Sequence, residues 1–472
     1  MSKRAEETLE EKKMRKRKEE KELAKWKNEK KKPIKKTYYW YLLLILSLIS
    51  IIDEVTANIG TQMQSLTATY LFEGRLSIMS LLQIFSLPTA ALAIFFKAKS
   101  DKYGRKLFLF INIFCMGMGL FLTFFAGQIG GIPGIITYIL SMMIVNFSIT
   151  GKMQVVYIME TAPQGKRATT YATVKAIANA GVVLIPIFRE IFMGDNPEKW
   201  HMVYLLPAIL ALVLSLIFLL TARESEMFLE NRIKYLEMSD IERQEMNKES
   251  NNNSSQQGGL GNALRFAFAH KQLRWLFIVG LIYIIGSMGT AYYEAMLNVF
   301  FDTAGVTTVL LFLPFANAVV TFAAGWLGDH EGRKMTNMLS MLVSFFSFLL
   351  FYIGCIRQWN PAVIGIMLGS YIGSYYACSD SIGSIMISES SPTNLRASML
   401  SAMGIFHMIG GIVSRLFPII VLLVSGDNYR VLGLAIIMAA VPTMFFACIF
   451  FIKNVRDTTQ ININTVRGDE WD

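Results

Sequence analysis

Twelve stretches of this chain run apolar for roughly 20 residues, the length an α-helix needs to cross about 30 Å of hydrocarbon. They fall at about 38–58, 76–96, 107–127, 133–159, 168–190, 201–221, 275–298, 306–327, 336–356, 361–387, 398–424 and 430–452. This predicts an all-α integral membrane protein with twelve transmembrane helices. The first 37 residues are strongly polar and the first apolar run is full length, so no cleavable signal peptide is expected. Composition points the same way. With 53% hydrophobic and 17% charged residues, a soluble domain would leave apolar surface in water, and disorder of the whole chain is excluded. The net charge of +10 would by itself suggest nucleic acid as a partner, but the apolar share argues against it. Cys115, Cys355, Cys378 and Cys448 lie inside apolar runs without paired spacing and read as small hydrophobes. The four histidines form no ligand motif, so neither a metal nor a cofactor is expected.

Charge fixes the sidedness. The tail and the connections on its side of the membrane hold 37 Lys/Arg, whereas the other face holds five: Arg75, Arg189, Lys199, Arg357 and Arg430. Basic residues stay on the cytoplasmic side, so both termini are expected there, as an even number of spans requires. Tyr38, Tyr39, Trp40 and Tyr41 open the first span as an interfacial aromatic belt. The longest polar interruption, 222–274, separates six spans at 38–221 from six at 275–453, with tails at 1–37 and 454–472. Its first part, 223–247, reads as a charged amphipathic helix, and 251–261 as a flexible Asn/Ser/Gln/Gly linker.

The two halves repeat. Asp101-x-x-Gly104-Arg105-Lys106 recurs as Asp329-x-x-Gly332-Arg333-Lys334, 228 residues on. Glu160-x-x-Pro163-x-x-x-Arg167 recurs as Glu389-x-x-Pro392-x-x-x-Arg396, 229 residues on. Two different signatures at nearly one offset mark duplicated six-helix units. The glycines suit a sharp polar turn between helices. The aspartates can accept from a neighbouring helix N-terminus, and the Arg/Lys pairs can meet carboxylates or anionic headgroups. The plainer alternative is that these charges are topogenic and solvated.

At these motifs the chain resembles the major facilitator superfamily of secondary transporters, over residues 38 to 453. The run Gly325-x-Leu327-x-Asp329-x-x-Gly332-Arg333-Lys334 matches that family's signature cytoplasmic loop, while the first half carries Lys97 in place of its leading glycine. The resemblance implies two repeated six-helix bundles that rock about a central site. It also implies a cytoplasmic gate made of Asp101, Gly104, Arg105, Glu160, Arg167, Asp329, Gly332, Arg333, Glu389 and Arg396. Within the family the sugar-porter branch is the most similar. Residues 222–229 look like a degraded Pro-Glu-Ser-Pro-Arg-Trp-Leu, Tyr292-Tyr293 and Ala304-Gly305 match that branch's span-7 pairs, and Asp53 falls on its membrane aspartate. The sugar-contacting amides do not match. Their positions fall on Ile282, Tyr283, Met288 and Lys175, and those of the span-10 Gly-Pro and Trp on Asp380, Ser381 and Ser384. A hexose would lose hydrogen-bond partners in such a pocket.

An ionisable residue within a span is a functional candidate by default. Here they are Asp53, Glu54, Lys152, Lys175, Glu294, Asp380, His407 and Arg415. Asp53 and Glu54 diverge by about 100° on a helix, so one faces the cavity and can carry a coupling proton while the other meets a neighbouring helix or the outer vestibule. Lys152 and Lys175 lie at one depth and would repel unless an anion, a carboxylate or water intervenes. They read as a site for a substrate carboxylate or phosphate, as snorkelling to the interface, or, with Asp380 at a comparable depth, as a structural Lys–Asp pair across the two halves. With Tyr292, Tyr293 and Asp380 they make the expected substrate set. Glu294 reads as vestibule residue or ligand, His407 as proton relay or interhelical partner, and Arg415 as snorkelling or pairing with Glu294.

The basic tail, 16 Lys/Arg and eight Glu in 37 residues, reads as a helix on anionic headgroups anchored by Trp26, or as a solvated topogenic tail. The leading expectation is a proton-coupled transporter of a small polar solute (sugar, organic acid or zwitterion), with import favoured. Its partners would be that solute, protons and the lipid bilayer, and it would act as a monomer. A drug/proton antiporter is the alternative, followed by a non-transporting sensor. No nucleophile–base arrangement or Walker loop supports an enzyme or an ATP-driven pump.

Overall fold

A computed structural model of the chain describes residues 9–31, 37–86, 103–151, 177–194, 196–238, 260–380, 385–391 and 396–458, with residues 88, 89, 92, 93, 96, 100, 157, 174, 175 and 242 between them. Ten helices among them are long and apolar enough to cross a membrane. They coincide with ten of the twelve expected spans; spans 2 and 5 are described only in part. The order begins with α1 (Leu9–Lys30), α2 (Thr37–Gln62), α3 (Gln64–Leu71), α4 (Leu76–Ile84), α5 (Arg105–Ile129), α6 (Gly131–Gly151) and α7 (Leu184–Phe192). A 3₁₀ turn (Pro197–Tyr204) leads into α8 (Leu205–Thr221), followed by α9 (Glu226–Glu237) and α10 (Leu260–Ala269). The second half continues with α11 (Lys271–Ile285), α12 (Met288–Leu297), α13 (Thr303–His330), α14 (Arg333–Ile356), α15 (Pro361–Asp380), α16 (Arg396–Ser425) and α17 (Tyr429–Asn454).

Two bundles result. In the first, α5 packs on α6 and α8; in the second, α13 and α14 pack on α15 while α17 packs on α11 and α14. Lipid provides no hydrophobic drive for helices to associate, so close backbone approach matters. Gly365, Gly369 and Gly373 form such a seam on α15. A Cβ on Gly365 would stand 2.5 Å from the Val309 carbonyl oxygen, and one on Gly373 would stand 2.9 Å from that of Asn317. Span 7 is not one straight helix. It bends between α11 and α12 at Gly286, where a Cβ would meet Met444 at 2.8 Å.

The bundles share one orientation. α2, α5, α11 and α14 begin, and α8 and α17 end, at what is here termed the near end. α2 ends, and α4, α13 and α17 begin, at the far end. The signature turns lie at the near end, where Gly104 (φ +109°) and Gly332 (φ +96°) precede α5 and α14. L-residues avoid that backbone region, so glycine is what lets the next helix start at once. The basic tail forms a docked helix rather than a lipid anchor. Trp26 is 5% exposed and lies edge-to-face on Phe228 of α9, with ring centroids 5.4 Å apart.

Candidate functional site

Asp53 and Glu54 sit on α2 and diverge as adjacent helical residues must. Asp53 is buried, whereas Glu54 reaches Lys175 in span 5 and forms an ion pair with it. Lys175 is 41% exposed and Glu54 18%, so the pair is only partly buried, more so at the carboxylate than at the lysine. Lys175 is therefore not a free cation awaiting an anion: a carboxylate of its own half neutralises it. Lys152 lies outside the described residues, and Asp380 closes α15 with its side chain outside them. Tyr292 and Tyr293, expected at the substrate, are each 2% exposed in this conformation. They are packed in the seam between the halves, Tyr292 near Ser80 and Tyr293 near Gln62.

At the near end the structure describes part of the expected gate. In the second half, Arg333 Nε lies 3.6 Å from Glu389 Oε1, and Glu389 Oε2 accepts from Thr458 Oγ1 at 2.5 Å. Asp457 receives the Lys334 amide at 3.0 Å, capping the start of α14. In the first half Asp101, Glu160 and Arg167 lie outside the described residues, as do the side chains of Asp329 and Arg396 in the second. A carboxylate not assigned to the gate caps α5. Glu224 accepts from the Arg105 and Lys106 amides at 2.8 and 3.1 Å, and Arg105 Nη1 donates to Ser100 Oγ at 2.6 Å. Burial pushes the Glu224 carboxyl above its usual value, and the amides of Ser225, Lys106 and Arg105 pull it partly back.

The largest departure from expectation is at the far end. Glu294 is fully buried, and its cation is Arg189 of α7, not Arg415, whose side chain is exposed. Arg189 is also fully buried. Its Nη1 donates to the Gln62 carbonyl at 2.9 Å and lies 3.6 Å from Glu294 Oε1, while its Nε and Nη2 lack acceptors. Glu294 Oε2 accepts from Ser65 N at 2.8 Å and Ser65 Oγ at 2.5 Å, and Oε1 accepts from Asn298 at 2.8 Å. Beside it, Asp427 accepts from Ser77 N at 2.7 Å and Ser77 Oγ at 2.8 Å. The hydrogen bonds and the ion pair that join the two halves, among the described residues, gather at this end. Sequence reasoning missed Arg189, Ser65, Ser77 and Asp427. The only available signal for Arg189 was a lone cation among Ile185, Pro186, Phe188 and Phe192.

No curated protein sequence matches the chain. Solved structures do resemble it. The inward open xylose transporter XylE from E. coli is 14% identical, covering 92% of this chain and 100% of its own at TM-score 0.62. The nucleoside transporter NupG is 16% identical at TM-score 0.61, covering 87% and 100%. A bacterial homolog of the human lysosomal transporter Spinster is 17% identical at TM-score 0.56, covering 89% and 96%. At such identities these likenesses establish the fold. The sequence model of the Major Facilitator Superfamily matches residues 5–186 and 42–415. With its helical bundles and repeated turns, the chain is a multi-pass membrane transporter belonging to the major facilitator superfamily.

Proposed function

We propose that this protein is a proton-coupled secondary transporter of a small polar organic solute (a sugar, an organic acid or a zwitterion), working by alternating access with import favoured. The observation that carries it is the Glu54–Lys175 pair, a carboxylate and an ammonium held together yet only partly buried inside an apolar bundle. Such a pair costs several kcal/mol to keep in a membrane, and water or solute reaching it offsets part of that cost. Asp53 or Glu54 carries the proton. Lys175, with Lys152, Asp380, Tyr292 and Tyr293, belongs to the solute path, the tyrosines entering it when the far end opens. Similar structures include a proton:xylose symporter and a nucleoside transporter, which supports a polar solute.

The halves are taken as 38–221 and 275–453, joined by 222–274, and the protein as a monomer in the cell membrane. The near end, which carries the basic tail, lies in the cytoplasm by the positive-inside rule. The closed far end then makes this an inward-facing state. In proteoliposomes with an imposed proton gradient, Asp53→Asn or Glu54→Gln is expected to lose concentrative uptake of a screened solute while keeping solute exchange. Full concentrative uptake by both variants would overturn the coupling role. Resistance of a sensitive host to cationic drugs, without uptake, would favour the antiporter instead.

A further inference from the structure

The seam at the far end has a repeated construction. Glu294 of α12 grips Ser65, the second residue of α3, by its amide and hydroxyl together, through Oε2 at 2.8 and 2.5 Å. Asp427, in the turn before α17, grips Ser77, the second residue of α4, in the same way, Oδ1 at 2.7 Å and Oδ2 at 2.8 Å. In each case a carboxylate of the second half caps a helix N-terminus of the first. Free N–H groups and the positive end of the helix dipole face the anion there.

Two further observations place these contacts on the moving joint. Ser65 and Glu294 are 229 residues apart, the offset of the internal repeat, so they occupy equivalent positions in the two halves. Equivalent positions touch only near the pseudo-two-fold axis relating the units, which here runs through the seam. Asp427 holds a left-handed backbone (φ +60°) following Gly426 (φ +64°), a conformation Asp tolerates better than most residues, and this aims its carboxylate at α4. Arg189 supplies the counter-charge. With Nε and Nη2 lacking acceptors, it is buried with Glu294 as its acidic partner among the described residues.

We propose that Glu294 and Asp427 are the far-end latch of the transport cycle, two carboxylates that hold the outer side shut by capping α3 and α4 and release both when the halves rock. They are gating residues, not ligands, since Glu294 is sealed from solvent. The latch rests on the alternating-access reading but not on the solute or on proton coupling.

The test is a distance measurement between spin labels at Lys199 and Arg357, exposed far-end positions in opposite halves, with half-buried Cys115 replaced by Ala. Glu294→Gln keeps the side-chain shape but leaves Arg189 without its anion. Asp427→Asn keeps the left-handed backbone and removes the charge and one of the two acceptors that hold Ser77. Each is expected to raise the long-distance fraction about tenfold or more, since each removes a hydrogen bond to a charged group that is made only in the closed state. Asp427→Asn, at the rim, covers the case in which Glu294→Gln does not fold. Ser80→Trp, a wedge beside Tyr292, is the control for motion itself. If the wedge lengthens the distance while neither carboxylate variant does, the latch is overturned and alternating access stands. If even the wedge leaves the distance short, the reading of two mobile halves fails, and the latch with it.

Discussion

Arg189 and Glu224 show what single residues reveal and conceal. Arg189 looks in the sequence like one of five basic residues on a sparsely charged face, yet it is fully buried against Glu294. Nothing local signals this, because its partners come from α2 and α12. Glu224 was legible only as part of a degraded motif. Its structural role is to cap α5 beneath Gly104, where a Cβ would overlap its carboxylate and lie 3.6 Å from Trp26. The raised Glu224 carboxyl gives a pH prediction. The folded protein holds this proton more tightly than the unfolded chain, so the protonated form favours folding. That contribution is fully present below the ordinary carboxylate value and is lost as pH rises from there through the raised one. Thermal midpoints of purified protein are therefore expected to fall as pH rises through this window, and Glu224→Gln to flatten that slope. An unchanged slope in the variant would assign the dependence to another group.

Among the elements, α1 departs furthest from its sequence. Sixteen basic residues suggested a tail on lipid or in solvent, and Trp26 a membrane anchor. Instead α1 lies along α9, with Leu23, Phe228, Leu229, Ile233 and Leu236 around Trp26. Lys27–Glu237 (2.6 Å), Lys30–Glu230 (3.1 Å) and Arg232–Glu22 (2.9 Å) flank this core. The lysine pairs are about half exposed, and exposed pairs are worth at most about 1 kcal/mol each, so the aromatic core decides the docking. Trp26→Ala is thus expected to speed proteolytic cleavage between residues 9 and 31 by about tenfold or more, while Lys27→Ala changes it little. Equal cleavage in both variants would mean that α1 is held by charge instead. The elements that were legible are those governed by one rule. Length and apolarity located ten spans, eight of them to within a few residues at both ends, because a helix in lipid satisfies its own backbone; the expected ends of spans 4 and 10 run past the ends of α6 and α15.

For the whole molecule, the decisive fact is that, among the described residues, the polar contacts between the halves gather at one end. At the near end, Glu224 caps the helix that follows Gly104 and Asp457 the one that follows Gly332, each from a segment that directly continues the same bundle. In the proposed alternating-access cycle the two turns meet across the halves when the near end closes. Asp329→Asn is accordingly expected to lower the transport rate severalfold while leaving the amount of protein in the membrane unchanged; undiminished uptake would remove Asp329 from the gate. The sequence by itself determined the apolar spans, the duplication and the family, and set the expectation for their sidedness. Each follows from apolar length, charge asymmetry or a repeated motif, which are properties of contiguous residues. Only the tertiary structure decided that Lys175 is held by Glu54, that Arg189 is held by Glu294, and that Glu294 and Asp427 clamp Ser65 and Ser77. Those pairs are separated by 121, 105, 229 and 350 residues. Whether a buried charge finds its partner depends on how two bundles pack, which no local pattern encodes.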